Sequence, residues 1–108
     1  SLLQRAVYNL LQNAYKYGKP GGHITVTLRE AGHGAALSVA DDGIGIAPED
    51  QEKIWQRFWQ ADPSRGEDGG SGLGLSMVQE IAAFHGGRAT VDSAPGQGST
   101  FTITLPRR

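Results

Sequence analysis

Apolar residues recur along the chain with two periods, and each period predicts a different kind of element. In the first 17 residues they return every three or four positions and form one stripe, which predicts an amphipathic helix. Gly18 and Pro20 are expected to end this helix. Ile24, Val26 and Leu28 then alternate with threonines, which is the period-two pattern of a half-buried strand. The chain is therefore expected to begin with a helix and to continue into a sheet.

A second strand is predicted after a glycine-bounded turn at residues 32–34. Leu37, Val39 and Asp41 lie on one face of this strand, because side chains alternate across a strand. Two strands joined by so short a turn predict a hairpin. Asp41 thus continues an inward-facing apolar row, where a carboxylate without a hydrogen-bond donor would be costly.

The rest of the chain predicts two further helices and two further strands. A short polar helix is expected over residues 49–55, and residues 60–70 are polar, rich in glycine and without periodicity, which predicts a mobile loop. A longer helix is expected over 72–85, followed by strands over 88–92 and 99–105. This order predicts an α+β two-layer sandwich, in which helices cover one face of a mixed, mostly antiparallel sheet.

Length, charge and cysteine content exclude several classes of protein. The chain has 108 residues, so we assign residues 1–108 to a single domain. Its formal net charge of −1 provides no basic field, so we expect no nucleic-acid partner. The absence of cysteine excludes disulfides and thiolate metal sites. No apolar run approaches the roughly 18 residues that span a bilayer, so we expect no direct membrane contact.

Glycine is about twice as frequent as usual, with 16 of 108 residues against a typical share of roughly 7%. The glycines are clustered, which marks tight turns or backbone that approaches another group closely. Together with the amide-bearing side of the first helix they define four short stretches: Asn9-Leu10-Leu11-Gln12-Asn13-Ala14 with Lys16-Tyr17, Asp41-Asp42-Gly43-Ile44-Gly45, Gly70-Ser71-Gly72-Leu73-Gly74-Leu75, and Gly96-Gln97-Gly98-Ser99.

In their order and approximate spacing, these four stretches resemble the catalytic, ATP-binding domain of sensor histidine kinases. That family belongs to the superfamily of gyrase, the Hsp90 chaperones and the MutL repair proteins. The resemblance covers nearly the whole chain, and it implies the Bergerat ATP-binding fold with ATP and Mg²⁺ as ligands. The family usually has a few tens of residues before the first motif, so the resemblance implies an N-terminally truncated fragment without an N-terminal strand segment.

One side of the first helix carries the residues to which the resemblance assigns the metal and the phosphates. At 100° per residue, Asn9, Asn13 and Lys16 lie together at the rim of the apolar stripe. Such amides either cap nearby backbone groups or serve a Mg²⁺–phosphate site, since an amide oxygen is a hard ligand. The resemblance implies Asn13 as the magnesium ligand with Asn9 beside it, Lys16 near a phosphate and Tyr17 against the adenine.

The aspartate that ends the second strand is the candidate for recognising the base. The exocyclic amine of adenine is a donor that suits a carboxylate, whereas guanine has an acceptor at that position. In the family's Asp-x-Gly-x-Gly pattern this carboxylate holds the adenine amine, and the matching residue is Asp41. Gly43 and Gly45 are expected to let the backbone approach the base.

A glycine-rich run before the third helix is the candidate phosphate site. Free N–H groups at the start of a helix attract anions, and the family places the triphosphate there. The residues concerned are Gly70, Ser71, Gly72, Leu73, Gly74 and Leu75. The preceding loop matches the family's lid, in which Arg65 either meets the terminal phosphate or is simply solvated.

The acceptor histidine is not expected within this chain. His23, His33 and His85 each lie at a glycine turn or a helix end, and none has the flanking acid and proline of the family's acceptor. The resemblance therefore implies a partner dimerisation domain of the same parent kinase, which carries that histidine and passes phosphate to a response regulator. It also implies a cytoplasmic domain, whose parent can be anchored in the inner membrane. On its own the fragment is not expected to autophosphorylate.

The position of Asn9 bears on the choice between transfer and hydrolysis. In the hydrolysing branches of the superfamily a glutamate four residues before the magnesium asparagine activates water, and here that position holds Asn9. An amide cannot act as a base, which favours transfer to another nucleophile. The alternatives are a nucleotide-binding module without transfer activity, an ATP-driven clamp, and a serine kinase of the same superfamily.

Overall fold

Two helices pack against one face of a four-stranded sheet in the computed structural model, which describes residues 1–56 and 74–106. The elements are α1 (Leu2–Tyr17), β1 (Ile24–Ala31), β2 (Gly34–Asp41), α2 (Gly74–Phe84), β3 (Arg88–Ala94) and β4 (Gly98–Pro106). The strands lie in the order β1-β2-β4-β3, and each of the described pairings is antiparallel. The predicted two-layer α+β sandwich is confirmed.

The first helix places its apolar stripe between the sheet and α2. Ala6, Leu10 and Ala14 are at most 1% exposed, at the four-residue spacing that the sequence predicts. The helix ends as expected, with the N–H of Gly18 bonded to the carbonyl oxygen of Ala14 at 2.8 Å. Because α1 packs on both α2 and β2, it joins the two layers.

Residues of three strands form rows on the helix-facing side of the sheet. The register of the strands aligns an apolar row of Val39, Phe101 and Val91. Two residues further along β2, toward its end, the register aligns Asp41, Ser99 and Ser93, which we call the polar row. The alternation of inward side chains thus passes from core to polar groups within two residues of each strand.

Several boundaries differ from the sequence-based expectations. The segment over 49–55 forms two single 3₁₀ turns, Pro48–Asp50 and Lys53–Trp55, instead of one short helix. β3 extends to Ala94 instead of residue 92, and β4 covers Gly98–Pro106 instead of 99–105, because backbone pairing continues beyond the predicted ends of these strands. Within residues 1–56 and 74–106, no helix is long and apolar enough to cross a membrane.

Candidate functional site

The candidate site is centred on Asp41, at the junction of the polar row and a glycine turn. Asp41 is 8% exposed, and its Oδ1 accepts a hydrogen bond of 2.9 Å from the backbone N–H of Gly43. Burial raises the pKa of the Asp41 carboxyl above its ordinary value of 3.8, the backbone N–H groups of Gly43 and Ser99 oppose that rise, and the charge of Asp42 adds to it. Asp41 is therefore a desolvated acceptor held by backbone donors.

The adjacent carboxylate has a different environment. The backbone N–H of His23 donates to Asp42 Oδ1 at 2.9 Å, and the His23 ring Nδ1 lies 3.2 Å from Asp42 Oδ2. The backbone hydrogen bond from His23 is the largest cause of a lowered pKa for Asp42, and the His23 ring and the charge of Lys19 also lower it. Asp42 therefore ties the start of β1 to the end of β2 and is not a buried acceptor.

The glycines of the turn after Asp41 are needed for close packing between elements. A Cβ on Gly43 would overlap the carbonyl oxygen of Tyr17 at the end of α1. Gly45 has a φ of +72°, and a Cβ there would overlap the carbonyl oxygen of Ala94 in the β3–β4 hairpin. This packing is an independent reason for both glycines, and their approach to a base stays a prediction.

The end of α1 contacts the same turn. Tyr17 is the last residue of α1, and its carbonyl oxygen accepts a hydrogen bond of 3.2 Å from the N–H of Ile44. The Lys16 ammonium lies 5.0 Å from the centroid of the Tyr17 ring, close enough for a cation–π contact. Tyr17 and Lys16 therefore lie at the end of the helix that adjoins the Asp41 turn.

The amide side of α1 faces the beginning of α2. The Asn9 amide nitrogen lies 3.7 Å from the sulfur of Met77, and a Cβ on Gly74 would have the Asn9 amide oxygen as its nearest neighbour, at 3.8 Å. Asn9 and Asn13 are half-buried, one helical turn apart on this side. The fold thus brings Asn9 of the first sequence motif beside Gly74 of the third.

Part of the predicted phosphate site lies outside the described residues. Gly74 opens α2 and Leu75 packs against the core. Arg65, Gly70, Ser71, Gly72 and Leu73 lie outside the described ranges, and the roles assigned to them stay predictions.

The hydroxyl groups of the polar row and the glutamine that supports them were not predicted from the sequence as site residues. Ser93 Oγ accepts from the N–H of Ile46 at 2.8 Å, and Gln51 Nε2 donates to the carbonyl oxygens of Ile46 and Ser93 at 2.9 and 2.8 Å. A signal for Ser93 was present, because it continues the inward alternation of β3 as Asp41 continues that of β2. Gln51 carried no such signal, since its contacts depend on where a non-periodic segment folds.

Two open concavities lie away from these residues, near Gly34 and Leu105 at the opposite end of β2 and β4. Their volumes are about 310 and 520 Å³, and none of the candidate site residues lines either of them. We therefore locate the site from its chemistry and not from the size of a cavity.

The family described as "Histidine kinase-, DNA gyrase B-, and HSP90-like ATPase" matches residues 1–108. The chain is 47% identical over 107 residues to the sensor-like histidine kinase SenX3 of Mycobacterium tuberculosis, covering 98% of this chain and 26% of that protein. The chain therefore spans about a quarter of the length of this relative.

Solved structures show the same fold. The chain resembles a mycobacterial sensor histidine kinase MprB with a TM-score of 0.84 and 38% identity, covering 99% of this chain and 71% of that one. It resembles full-length ShkA, solved in complex with AMPPNP, with a TM-score of 0.85 and 33% identity, covering 97% of this chain and 21% of that one.

Proposed function

The chain belongs to the family of histidine kinase-, DNA gyrase B- and HSP90-like ATPases, and from that premise we propose that it binds Mg-ATP and donates the γ-phosphate to a histidine on a separate dimerisation domain. In this proposal residues 1–108 are the ATP-binding part of a protein histidine kinase in two-component signal transduction. The names of the relatives, among them the sensor-like histidine kinase SenX3, support this reading.

The observation that carries the proposal is the buried carboxylate of Asp41. No cationic side chain in residues 1–56 or 74–106 pairs with it, and burial has raised its pKa. A desolvated acceptor at the end of a strand gains most from a ligand that donates a hydrogen bond. The exocyclic amine of adenine is such a donor, and guanine offers an oxygen instead. We therefore assign Asp41 to adenine recognition, with Tyr17 beside the base.

The metal assignment is consistent with the donor set. Across the described ranges, no group of three or more His, Cys, Asp or Glu side chains could hold a metal ion. Asn13 offers an amide oxygen from the side of α1 that faces α2, and a single protein ligand of this kind suits Mg²⁺, which keeps waters and binds through substrate phosphates. When bound, the ion supplies charge neutralisation at the phosphates. Lys16 supplies a further positive charge there.

The chemical step is assigned to transfer because Asn9, one helical turn before the assigned metal ligand, is an amide and not a base. A ring nitrogen of the acceptor histidine forms a bond to the γ-phosphorus of ATP. The bond between that phosphorus and the oxygen that bridges it to the β-phosphate breaks, and ADP leaves with this oxygen. Asn9 occupies the place where a hydrolytic base would lie and cannot accept a proton. The chain contributes positioning and charge stabilisation, with Gly70–Leu75 and Arg65 assigned to the phosphates.

The partner in this proposal is the dimerisation domain of the same parent kinase, and the response regulator is served indirectly. The acceptor histidine is assigned to that dimerisation domain because none of the three histidines of residues 1–108 has an acceptor's setting. His85 caps the end of α2, with its Nδ1 2.8 Å from the carbonyl oxygen of Ile81. Such a kinase domain draws ATP from the cytoplasm, where we place it.

Calorimetry with ATP and Mg²⁺ tests the adenine site. The Asp41→Asn variant is expected to bind ATP about 100-fold more weakly, since a hydrogen bond to a charged group contributes about 1.5–3 kcal/mol and the new amide places a donor against a donor. The matched control is Asp92→Asn. Asp92 is an exposed carboxylate on β3, so this variant should bind ATP with the affinity of wild type. GTP is expected to show no binding to any of the three proteins. Equal affinity of Asp41→Asn and wild type for ATP would contradict the assignment.

A second measurement separates a kinase from a module that only binds nucleotide. A dimerisation domain with its histidine, for example that of the SenX3 relative, is supplied in trans with labelled ATP. We expect an acid-labile phosphohistidine on that domain and little release of inorganic phosphate by the chain alone. Saturating ATP without phosphohistidine would indicate the binding module, and rapid release of phosphate would indicate an ATP-driven clamp.

A further inference from the structure

A single hydroxyl, that of Ser93, connects the two backbone segments that hold Asp41. Ser93 Oγ accepts from the N–H of Ile46 at 2.8 Å, donates to the carbonyl oxygen of Gly98 at 2.9 Å and lies 2.8 Å from the Ser99 hydroxyl. A serine hydroxyl has one proton and two acceptor positions. All three contacts form together only if the Ser99 hydroxyl donates to Ser93, so the hydrogen-bonding capacity of Ser93 is filled.

The two segments are those that supply the donors to the carboxylate. Gly43 donates to Asp41 Oδ1 from the turn that leads to Ile46, and on β4 Ser99 is paired with Asp41, where its backbone lowers the pKa of the carboxyl. Ser93 contacts Ile46 and Ser99 directly. Its hydroxyl therefore links the turn that bonds to Asp41 with the strand that pairs with Asp41.

Gln51 holds the same arrangement from outside the sheet. Its Nε2 donates to the carbonyl oxygens of Ile46 and Ser93 at 2.9 and 2.8 Å. Both protons of the side-chain amide are thus used to join the turn after β2 to β3. The backbone of this region is further joined by the N–H of Gly96, which donates to the carbonyl oxygen of Ile44 at 2.8 Å.

We propose that Ser93 and Gln51 are positioning residues for nucleotide binding, which act by fixing the Gly43 turn and the adjoining β4 backbone at Ser99 around Asp41. This inference rests on the proposed adenine site and adds to it two residues that do not touch the ligand. A role limited to the stability of the β3–β4 hairpin would lower the melting temperature and leave the ionisation of Asp41 unchanged. The two roles are therefore separable by a pH profile.

The pH profile of nucleotide affinity depends on the ionisation of Asp41, which the neighbouring titratable groups influence. Asp42 is adjacent and raises the pKa of Asp41, while His23 and Lys19 act on Asp42. In the described part of the chain, the N–H of Gly43 donates to Asp41, the backbone of Ser99 on β4 lowers the pKa of Asp41, and the Ser93 hydroxyl on β3 contacts the Ser99 hydroxyl. Weakening these donors favours the protonated form of Asp41, so the pH at which nucleotide affinity falls on acidification should move upward.

The test compares Mg-ATP affinity between pH 4 and 8 for wild type, Ser93→Ala, Ser93→Thr and Gln51→Glu. Ser93→Ala leaves the N–H of Ile46 without its acceptor, and we expect about 10-fold weaker binding with an upward shift of the acidic midpoint. Ser93→Thr retains the hydroxyl and should restore affinity to within about 3-fold of wild type. Gln51→Glu places an oxygen against two carbonyl oxygens and should act like Ser93→Ala.

The matched control is Ser38→Ala. It also removes one hydroxyl from a pair that joins two strands, since Ser38 Oγ lies 3.0 Å from Thr102 Oγ1, but on the other side of the sheet from Asp41. Its affinity and midpoint should equal those of wild type. If Ser93→Ala does not fold, Gln51→Glu carries the test, with Gln97→Glu in the exposed hairpin turn as its control.

Two results would overturn the inference, and they differ from failure of the proposed function. Wild-type affinity in Ser93→Ala and Gln51→Glu would remove the positioning role and leave the adenine site intact. Weaker binding with an unshifted midpoint, in proportion to a lower melting temperature, would assign both residues to hairpin stability alone. Absence of ATP binding by the folded wild type would overturn the proposed function and this inference together.

Discussion

The adjacent strands β1 and β2 have the same length and pair apolar side chains on the same side of the sheet, yet only β2 is buried. Val26 pairs with Val39, and Leu28 pairs with Leu37, with their side chains on the same side of the sheet. Val39 is 1% exposed, whereas Val26 is 50% and Leu28 is 72% exposed. The difference arises because α1 packs on β2, and α2 packs on β3 and β4. Alternation therefore predicts a strand with one apolar face but not the layer that covers it.

The same difference explains the chemistry at the ends of the two strands. Asp41 ends the covered strand and is desolvated, so its pKa is raised and it can serve as a selective acceptor. His23 precedes the uncovered strand and is exposed, where it pairs with Asp42. Where the helices cover a strand, a polar residue at its end is buried and its pKa is shifted by desolvation. Where they do not, the polar residue stays exposed to solvent.

The largest effect expected from this comparison is on stability. Val39→Thr and Val26→Thr make the same change at paired positions of the two strands. Val39→Thr buries a hydroxyl in the core and should reduce the free energy of unfolding by about 2 kcal/mol. Val26→Thr should change it by less than about 0.5 kcal/mol, because the site is half exposed and threonine suits a strand. Urea unfolding of both variants measures the difference, and equal losses would refute the contrast.

The sequence predicted the elements of the fold well where periodicity was strong. The extent of α1, the two hairpins and the inward position of Asp41 all follow from apolar spacing and were confirmed. The two 3₁₀ turns and the exposure of β1 were not predictable, because both depend on packing between distant segments. Ser93 could have been found by the reasoning used for Asp41, as an inward polar residue that continues an apolar row.

A second test of the comparison uses pH, because Asp41 and Asp42 should affect stability in opposite directions. The raised pKa of Asp41 means that the folded state binds its proton more tightly, so this group lowers stability as pH rises from 3.8 through the raised value. The lowered pKa of Asp42 means that this group contributes stability above 3.8, which is lost as pH falls through the lowered value. The two signs follow from burial at one residue and hydrogen bonding at the other.

Unfolding measured from pH 3 to 7 for both asparagine variants checks these signs. Without nucleotide, Asp41→Asn should be more stable than wild type at pH 7, and the gain should vanish toward acidic pH. Asp42→Asn should be less stable than wild type at pH 7, and its deficit should also vanish toward acidic pH. A destabilised Asp41→Asn at pH 7 would mean that the carboxylate serves the fold and not a ligand.

The smallest expected effect is at the most exposed apolar position of β1. Leu28→Lys places a charge on the uncovered strand and should change the free energy of unfolding by less than about 0.5 kcal/mol, since surface substitutions rarely do more. The exposed apolar row of an edge strand also favours association between chains, so the lysine should reduce light scattering at high protein concentration. Unfolding at two protein concentrations is the decisive measurement. A loss in Leu28→Lys comparable with that in Val39→Thr, and present only at the higher concentration, would show that a second copy covers this row. In that case β1 would be covered by a strand of a second copy, whereas β2 is covered by a helix of its own chain.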